Sequence, residues 1–251
     1  MKNTKERKKR KMNKMKEKNK TKKIPAKRTR TIFFQHITKR RKKLVERRGE
    51  KKMNYYTSDI HFGQKALLKD GRYHERPFTT LEEMQSEIIK RWNKKVTNAD
   101  HVYILGDVGA RGANQMHPEL LACLKGNKHL ILGNHDDVSD LRVRQQFAEI
   151  CHYKKMFDNK GGKAREVILS HYPILMWEGQ HRGAILLYGH VHNTVEEAFF
   201  QKYLAEFYRE RPRKPEETDG AAYNVGMALW DYTPVSLDEM IGNQEKKEIR
   251  K

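Results

Sequence analysis

Short apolar or β-branched runs recur along the chain after residue 53, and nearly all of them stop at Asp, Asn or His. They are "NYYTSDIH" (54–61), "HVYILGD" (101–107), "HLILGNHD" (129–136), "EVILSHYPI" (166–174) and "AILLYGHVH" (184–192). Each has strand length and is bounded by turn signals; a sixth, "AAYNVGMAL" (221–229), lacks a ligand-type ending. Helical spacing fills several of the gaps. "TLEEMQSEIIKRWNKKV" opens with Thr80 and Glu83 in capping-box register and puts Leu81, Met84, Ile88 and Trp92 on or near one face. "TVEEAFFQKYLAEFYRE" repeats the box with Thr194 and Glu197. "PELLACLK" is a shorter candidate, and "DDVSDLRVRQQFAEI" has Asp and Ser available as caps. Strands alternating with helices, then strands closer together, predict an α/β layered fold whose chemistry sits in strand-end loops. "RERPRKPEETDG" (209–220) reads as an exposed loop, and there is no internal repeat.

Charge divides the chain in two. Residues 1–52 carry 25 Lys and Arg against 4 Glu, whereas residues 53–251 carry 28 of each sign, so the whole formal charge of +21 belongs to the first 52 residues. That stretch is too poor in apolar residues to bury a core and reads as a basic, disordered extension ahead of a domain at 53–251. Three readings of it compete: an arm that binds nucleic acid through phosphates, a solvated tail, or a purine-rich leader read in frame. "RRGEKKM" can be encoded by a ribosome-binding sequence spaced for a start at Met53, which is the expected main start. No apolar run approaches the roughly 18 residues of a membrane span, and "TIFF" is too short for a signal-peptide core. Cys123 and Cys151 form no Cys-x-x-Cys pair, so neither a disulfide framework nor a thiolate metal site is indicated, and a cytoplasmic location is expected.

The polar endings of the runs carry the chemistry. Asp59 and His61, Asp107, Asn134 with His135 and Asp136, His171, and His190 with His192 stand at five separate strand ends. Oxygen and imidazole donors without sulfur suit divalent Mn, Fe, Zn, Co or Ni, without selecting among them. In "LLYGHVH" the two histidines, if extended, would point the same way about 7 Å apart unless the chain bends.

The ordered set D-x-H, G-D, G-N-H-D, a lone His and G-H-x-H resembles the calcineurin-like metallophosphoesterase superfamily, over roughly residues 53–240. "YYTSDIHFGQ", "LSHYPI" and "YGHVHN" look most like its small single-domain members from bacteria and phages. The resemblance implies a layered α/β fold with central mixed β-sheets flanked by helices and a dinuclear metal site in strand-end loops. It implies that Asp59, His61 and His192 hold one ion, that Asn134, His171 and His190 hold the second, and that Asp107 bridges them. Two divalent ions, two carboxylates and a bridging hydroxide would leave the site near +1, able to attract a phosphate, and the hydroxide would attack in line without a covalent intermediate. The implied substrate is a small phosphomonoester or phosphodiester, and manganese is the expected metal. By the same resemblance His135 would protonate the leaving group, with Asp136 orienting or charging it.

"GDVGARG" matches the G-D-x-x-D-R-G of the phosphoprotein-phosphatase branch in spacing, but Ala110 stands where that branch has its second Asp. Arg111 is therefore either a phosphate contact or a solvated loop residue, and Arg182, beside His181, is a weaker candidate of the same kind. His74, His101, His117, His129 and His152 match no motif and are expected at the surface or at strand edges. Trp92, Trp177 and Trp230 are expected in the core or at its rim. Two other readings compete: a nuclease or nucleotide phosphodiesterase using the same metals, and a nucleic-acid-binding protein acting through residues 1–52. Oligomeric state is not legible.

Overall fold

The computed structural model describes residues 52–69, 76–112, 115–160 and 163–249. The basic stretch up to residue 51 and His74 lie outside the described residues, and Lys52–Lys251 form one unit.

Side-chain alternation builds the layers. Strands β1 (Asn54–Thr57), β2 (His101–Leu105), β3 (Asn127–Ile131) and β4 (Glu149–Cys151) make a wholly parallel sheet in that order. Strands β5 (Tyr153–Lys160), β6 (Lys163–Ser170), β7 (Ile185–Tyr188) and β8 (Ala222–Asn224) make the second sheet, antiparallel only between β5 and β6. Tyr56, Tyr103, Leu105 and Ile131 from the first sheet meet Val167, Leu169, Ile185 and Leu187 from the second. The alternate residues point outward: Val102, Ile104 and Leu130 face one helical layer, while Ile168, Leu186 and Tyr188 face the other. Both faces of the central strands are covered, which is why β7 reads as an unbroken apolar run.

Helix α1 (Leu81–Lys95) covers the first sheet with α2 (Pro118–Cys123). It buries Met84, Ile88 and Trp92 completely, and each of the two aliphatic side chains contributes roughly 1.5–3 kcal/mol. Thr80 caps α1 as its spacing predicts, accepting from Glu83 N at 3.1 Å, while Glu83 Oε2 accepts from Thr79 N. Trp177 is buried with the second sheet's outer core.

The structure departs from the sequence pattern in three places. "DDVSDLRVRQQFAEI" forms only one helical turn, α3 (Leu141–Arg144), after which β4 pairs with β3. A few residues of helix propensity are outweighed by the unpaired edge of β3, which gains a partner. Second, α4 (Val195–Glu210) is capped by Thr194 accepting from Glu196 N, but Glu197 does not close a capping box. Its carboxylate instead accepts from the buried Tyr188 hydroxyl at 2.8 Å and from Asn224 Nδ2 at 3.0 Å, donors that water cannot reach as it can an exposed helix end. Third, β5 and α5 (Leu237–Ile249) are absent from the sequence reading. Neither carries a strong period of its own: β5 is fixed by pairing with β6, and α5 by burying Leu237 and Met240.

Candidate metal centre

Parallel strands deliver their carboxyl ends to one edge, and in open α/β sheets that edge is where ligands bind. Asp59 and His61 follow β1, Asp107 follows β2, Asn134, His135 and Asp136 follow β3, His171 follows β6, and His190 and His192 follow β7. Both sheets thus feed one place. The β1 and β2 endings remain paired beyond the strands, with Asp59 N donating to Gly106 O and His61 N to Asp107 O, both at 3.0 Å. Gly189 N donates to His171 O at 2.9 Å and ties β7 to β6 in the same way.

Asp59, His61, Asp107, His190 and His192 all adopt positive φ, between 48° and 69°. Such left-handed conformations are uncommon for residues with a Cβ and cluster where function holds them. They also settle "GHVH". The chain bends at both histidines, so His190 packs its ring 5.0 Å from that of His171, while His192 stacks on His61 at 5.2 Å. Two preceding glycines make room. A Cβ on Gly106 would stand 2.4 Å from His171 Nδ1, and one on Gly189 would stand 2.3 Å from Ser58 Oγ and 2.6 Å from Asp59 Oδ2.

The donor atoms converge in three overlapping groups: Asp59, His61 and His192; His61, Asp107 and His135; Asp107, His171 and His190. Asp107 straddles them, with Oδ2 3.8 Å from His61 Nε2 and Oδ1 3.5 Å from His171 Nε2. His61 and His192 bring their Nε2 atoms within 3.3 Å. Asp59 is held across the two sheets, accepting from Ser58 Oγ at 2.6 Å and from His190 N at 3.1 Å.

His171 is the most informative residue. Its Nδ1 lies 2.7 Å from the Leu105 carbonyl, which can only accept, so Nδ1 carries the proton. Its Nε2 faces Asn134 Oδ1 at 3.0 Å and Asp107 Oδ1 at 3.5 Å, both acceptors, and in a neutral ring it adds a lone pair of its own. Three acceptors facing one another call for a cation, and the orienting Nδ1–H to carbonyl bond is the one that metal-binding imidazoles use. The electrostatics agree. Burial pushes the Asp59 carboxyl up to about 6, and burial, followed by the nearby charges of Arg76, His192 and His135, holds His61 well below the usual imidazole range. Burial also lowers His190. Buried carboxylates beside neutral imidazoles are a donor set lacking its positive charge, and divalent ions fit it.

Asp136 does not reach His135, against the sequence expectation. Its carboxylate accepts from the backbone N–H groups of Gly133 at 2.8 Å, Val108 at 2.9 Å and Asp107 at 3.0 Å, locking the β2 and β3 endings together. Three fixed backbone donors hold a carboxylate more firmly than one imidazole could. His135 is instead placed by its own N–H, which donates to Asp107 Oδ1 at 3.0 Å, and its Nε2 lies 3.9 Å from Asp107 Oδ2.

A cavity of about 350 Å³ opens over these donors, lined by Gln64, Leu67, Arg111, Asn134 and His135 together with His61, Asp107, His190 and His192. Arg111 thus stands on its wall. Arg182 does not line it: it is exposed on the turn before β7 and bridges to Thr218. Sequence reading missed Asn224, whose Nδ2 donates to His192 O at 2.7 Å, and Tyr172, whose ring packs 4.5 Å from His190. The signal for Asn224 was present: it too is a polar residue ending an apolar run, at the close of β8.

The profile of the calcineurin-like phosphoesterases matches residues 55–220. An uncharacterised protein of Methanocaldococcus jannaschii is 30% identical over 78% of this chain and 93% of its own length. The gene 66 protein of Mycobacterium phage L5 is 28% identical over 56% of this chain and 78% of its own. A protein of unknown function from Aquifex aeolicus shares the fold, with a TM-score of 0.51 and 21% identity, covering 76% of this chain and 99% of that one.

Proposed function

This chain belongs to the calcineurin-like phosphoesterase family, and on that basis we propose that it hydrolyses a small phosphomonoester or phosphodiester with two divalent ions. Asp59, His61 and His192 would hold one ion, Asn134, His171 and His190 the other, and Asp107 would be shared. The observation that carries this is His171, whose Nε2 faces two oxygen acceptors while its Nδ1–H donates to the Leu105 carbonyl.

When bound, divalent ions supply charge neutralisation for the phosphoryl oxygens and activate water at neutral pH. The chain's own groups do the rest. His135, on the cavity wall and beside Asp107, donates a proton to the leaving-group oxygen, while Arg111 offers the phosphate a guanidinium. Asp136 keeps the loops bearing Asp107 and His135 in register. The cavity, near the lower end of the range for small-molecule sites, suits a compact ester better than a long duplex. No described helix is long and apolar enough to cross a membrane, and the unpaired Cys123 and Cys151 suit a reducing cytoplasm.

The test is hydrolysis of bis-(p-nitrophenyl) phosphate beside p-nitrophenyl phosphate by chelator-stripped protein, with Mn, Ni, Zn or Mg restored. Turnover that returns with metal, Mn first, and is lost in Asp107→Asn supports the reading. The diester-to-monoester ratio assigns the ester class. Metal-independent turnover, or turnover surviving in Asp107→Asn, sinks it.

A further inference from the structure

Arg76 belongs to no motif, yet it is among the most deeply buried charges of the described residues, at 2% exposure. Its Nη1 donates to Ile60 O and its Nη2 to Asp59 O, both at 2.7 Å. Nη1 also lies 3.6 Å from Met84 Sδ, and the guanidinium carbon stands 5.8 Å from the Tyr232 ring centroid. Among the described residues, its side-chain hydrogen bonds go to these two carbonyls and the thioether, with no carboxylate in ion-pair range. Burial lowers its pKa to about 10, so it remains a cation at neutral pH.

Burying a guanidinium is costly, and it persists where its donors have specific work. Here the two fork nitrogens grip consecutive carbonyls in "SDIH", between the left-handed Asp59 and the left-handed His61. Left-handed residues on either side of Ile60 turn its carbonyl and that of Asp59 away from ladder partners, and a planar fork can satisfy both at once. Arg76 N also donates to Leu67 O at 2.9 Å, which anchors the segment carrying Gln64 and Leu67, two residues of the cavity wall.

We propose that Arg76 is a positioning residue of the metal centre: its guanidinium locks the Asp59–His61 turn in the strained geometry that aims both side chains at one ion. The inference rests on the metal reading above. It predicts that the fork, and not burial of the site in general, sets metal affinity.

The test titrates chelator-stripped full-length protein with Mn²⁺ by calorimetry, for wild type, Arg76→Met and Arg76→Lys. Circular dichroism establishes that each metal-free variant is folded at the assay temperature. Arg76→Met is expected to bind at least one ion about 10–100-fold more weakly, the usual effect of losing an orienting partner of metal ligands. Arg76→Lys should fall between, because one ammonium cannot present two donors in a fixed plane. A folded Arg76→Met that binds as wild type does overturns the inference alone. If that variant does not fold, Arg76→Lys decides, and wild-type affinity there overturns it equally. A wild-type protein that binds no Mn²⁺ overturns the metal reading and this inference with it.

Discussion

Replacing Asp136 by Asn separates a scaffold from a chemical role, because it keeps the shape and removes only the charge and one acceptor. In the native site Oδ2 accepts from Gly133 N and Asp107 N, and Oδ1 accepts from Val108 N. The best fit for Asn keeps its oxygen at the Oδ2 position and turns its amide toward Val108 N, leaving one buried donor facing another. An unsatisfied buried donor costs about 1–3 kcal/mol, and the two surviving bonds lose their charge assistance, worth about as much again between them. Against this, burial already holds the Asp136 carboxyl above its usual range, a desolvation cost that neutral Asn does not bear. The net loss is about 2–4 kcal/mol, smaller than the typical stability of a folded domain, so the variant should fold. Urea unfolding of the metal-free protein measures it, as a lower midpoint at unchanged slope. Activity should fall because Asp107 and His135 loosen together. An unchanged midpoint with activity abolished would refute the scaffold argument and return Asp136 to the chemistry.

Other outcomes follow from the same geometry. His135→Ala should keep its metal and lose about 10²–10⁴ in rate on esters with poor leaving groups, with little loss on activated aryl esters; equal loss on both removes its role as acid. Gly189→Ala drives a Cβ to 2.3 Å from Ser58 Oγ and 2.6 Å from Asp59 Oδ2, and calorimetry should show Mn²⁺ affinity lost with it. Asn224→Ala leaves the His192 carbonyl without its 2.7 Å donor and should cost about 1–3 kcal/mol in urea unfolding. Burial holds His129 below the usual imidazole range, so the unfolded chain takes up its proton first. That part of the stability is complete above about pH 6.5 and is lost as pH falls toward the lower folded value; His129→Gln should flatten the pH dependence of the urea midpoint in that window.

Every metal-type side chain that the structure gathers was visible as a polar residue ending an apolar run, since β-strands buried on both faces write continuous apolar stretches and their loops write the chemistry. Thr80 and the face of α1 were equally local and equally legible. The sequence could not show which polar residue faces which. Asp136 sits next to His135 in the chain but serves three backbone donors, two of them on the β2 ending, and Glu197 leaves its helix cap to meet Tyr188 and Asn224. β4 and β5 exist because neighbouring strands offer open edges, a property of the pairing and not of their own residues. Arg76 shows the limit most sharply, because nothing in "HERPF" marks its arginine as buried. Donor chemistry is a property of side chains and is carried by the sequence itself. Its geometry depends on left-handed turns and on partners 16 to 131 residues away, which only the packed sheets bring into contact.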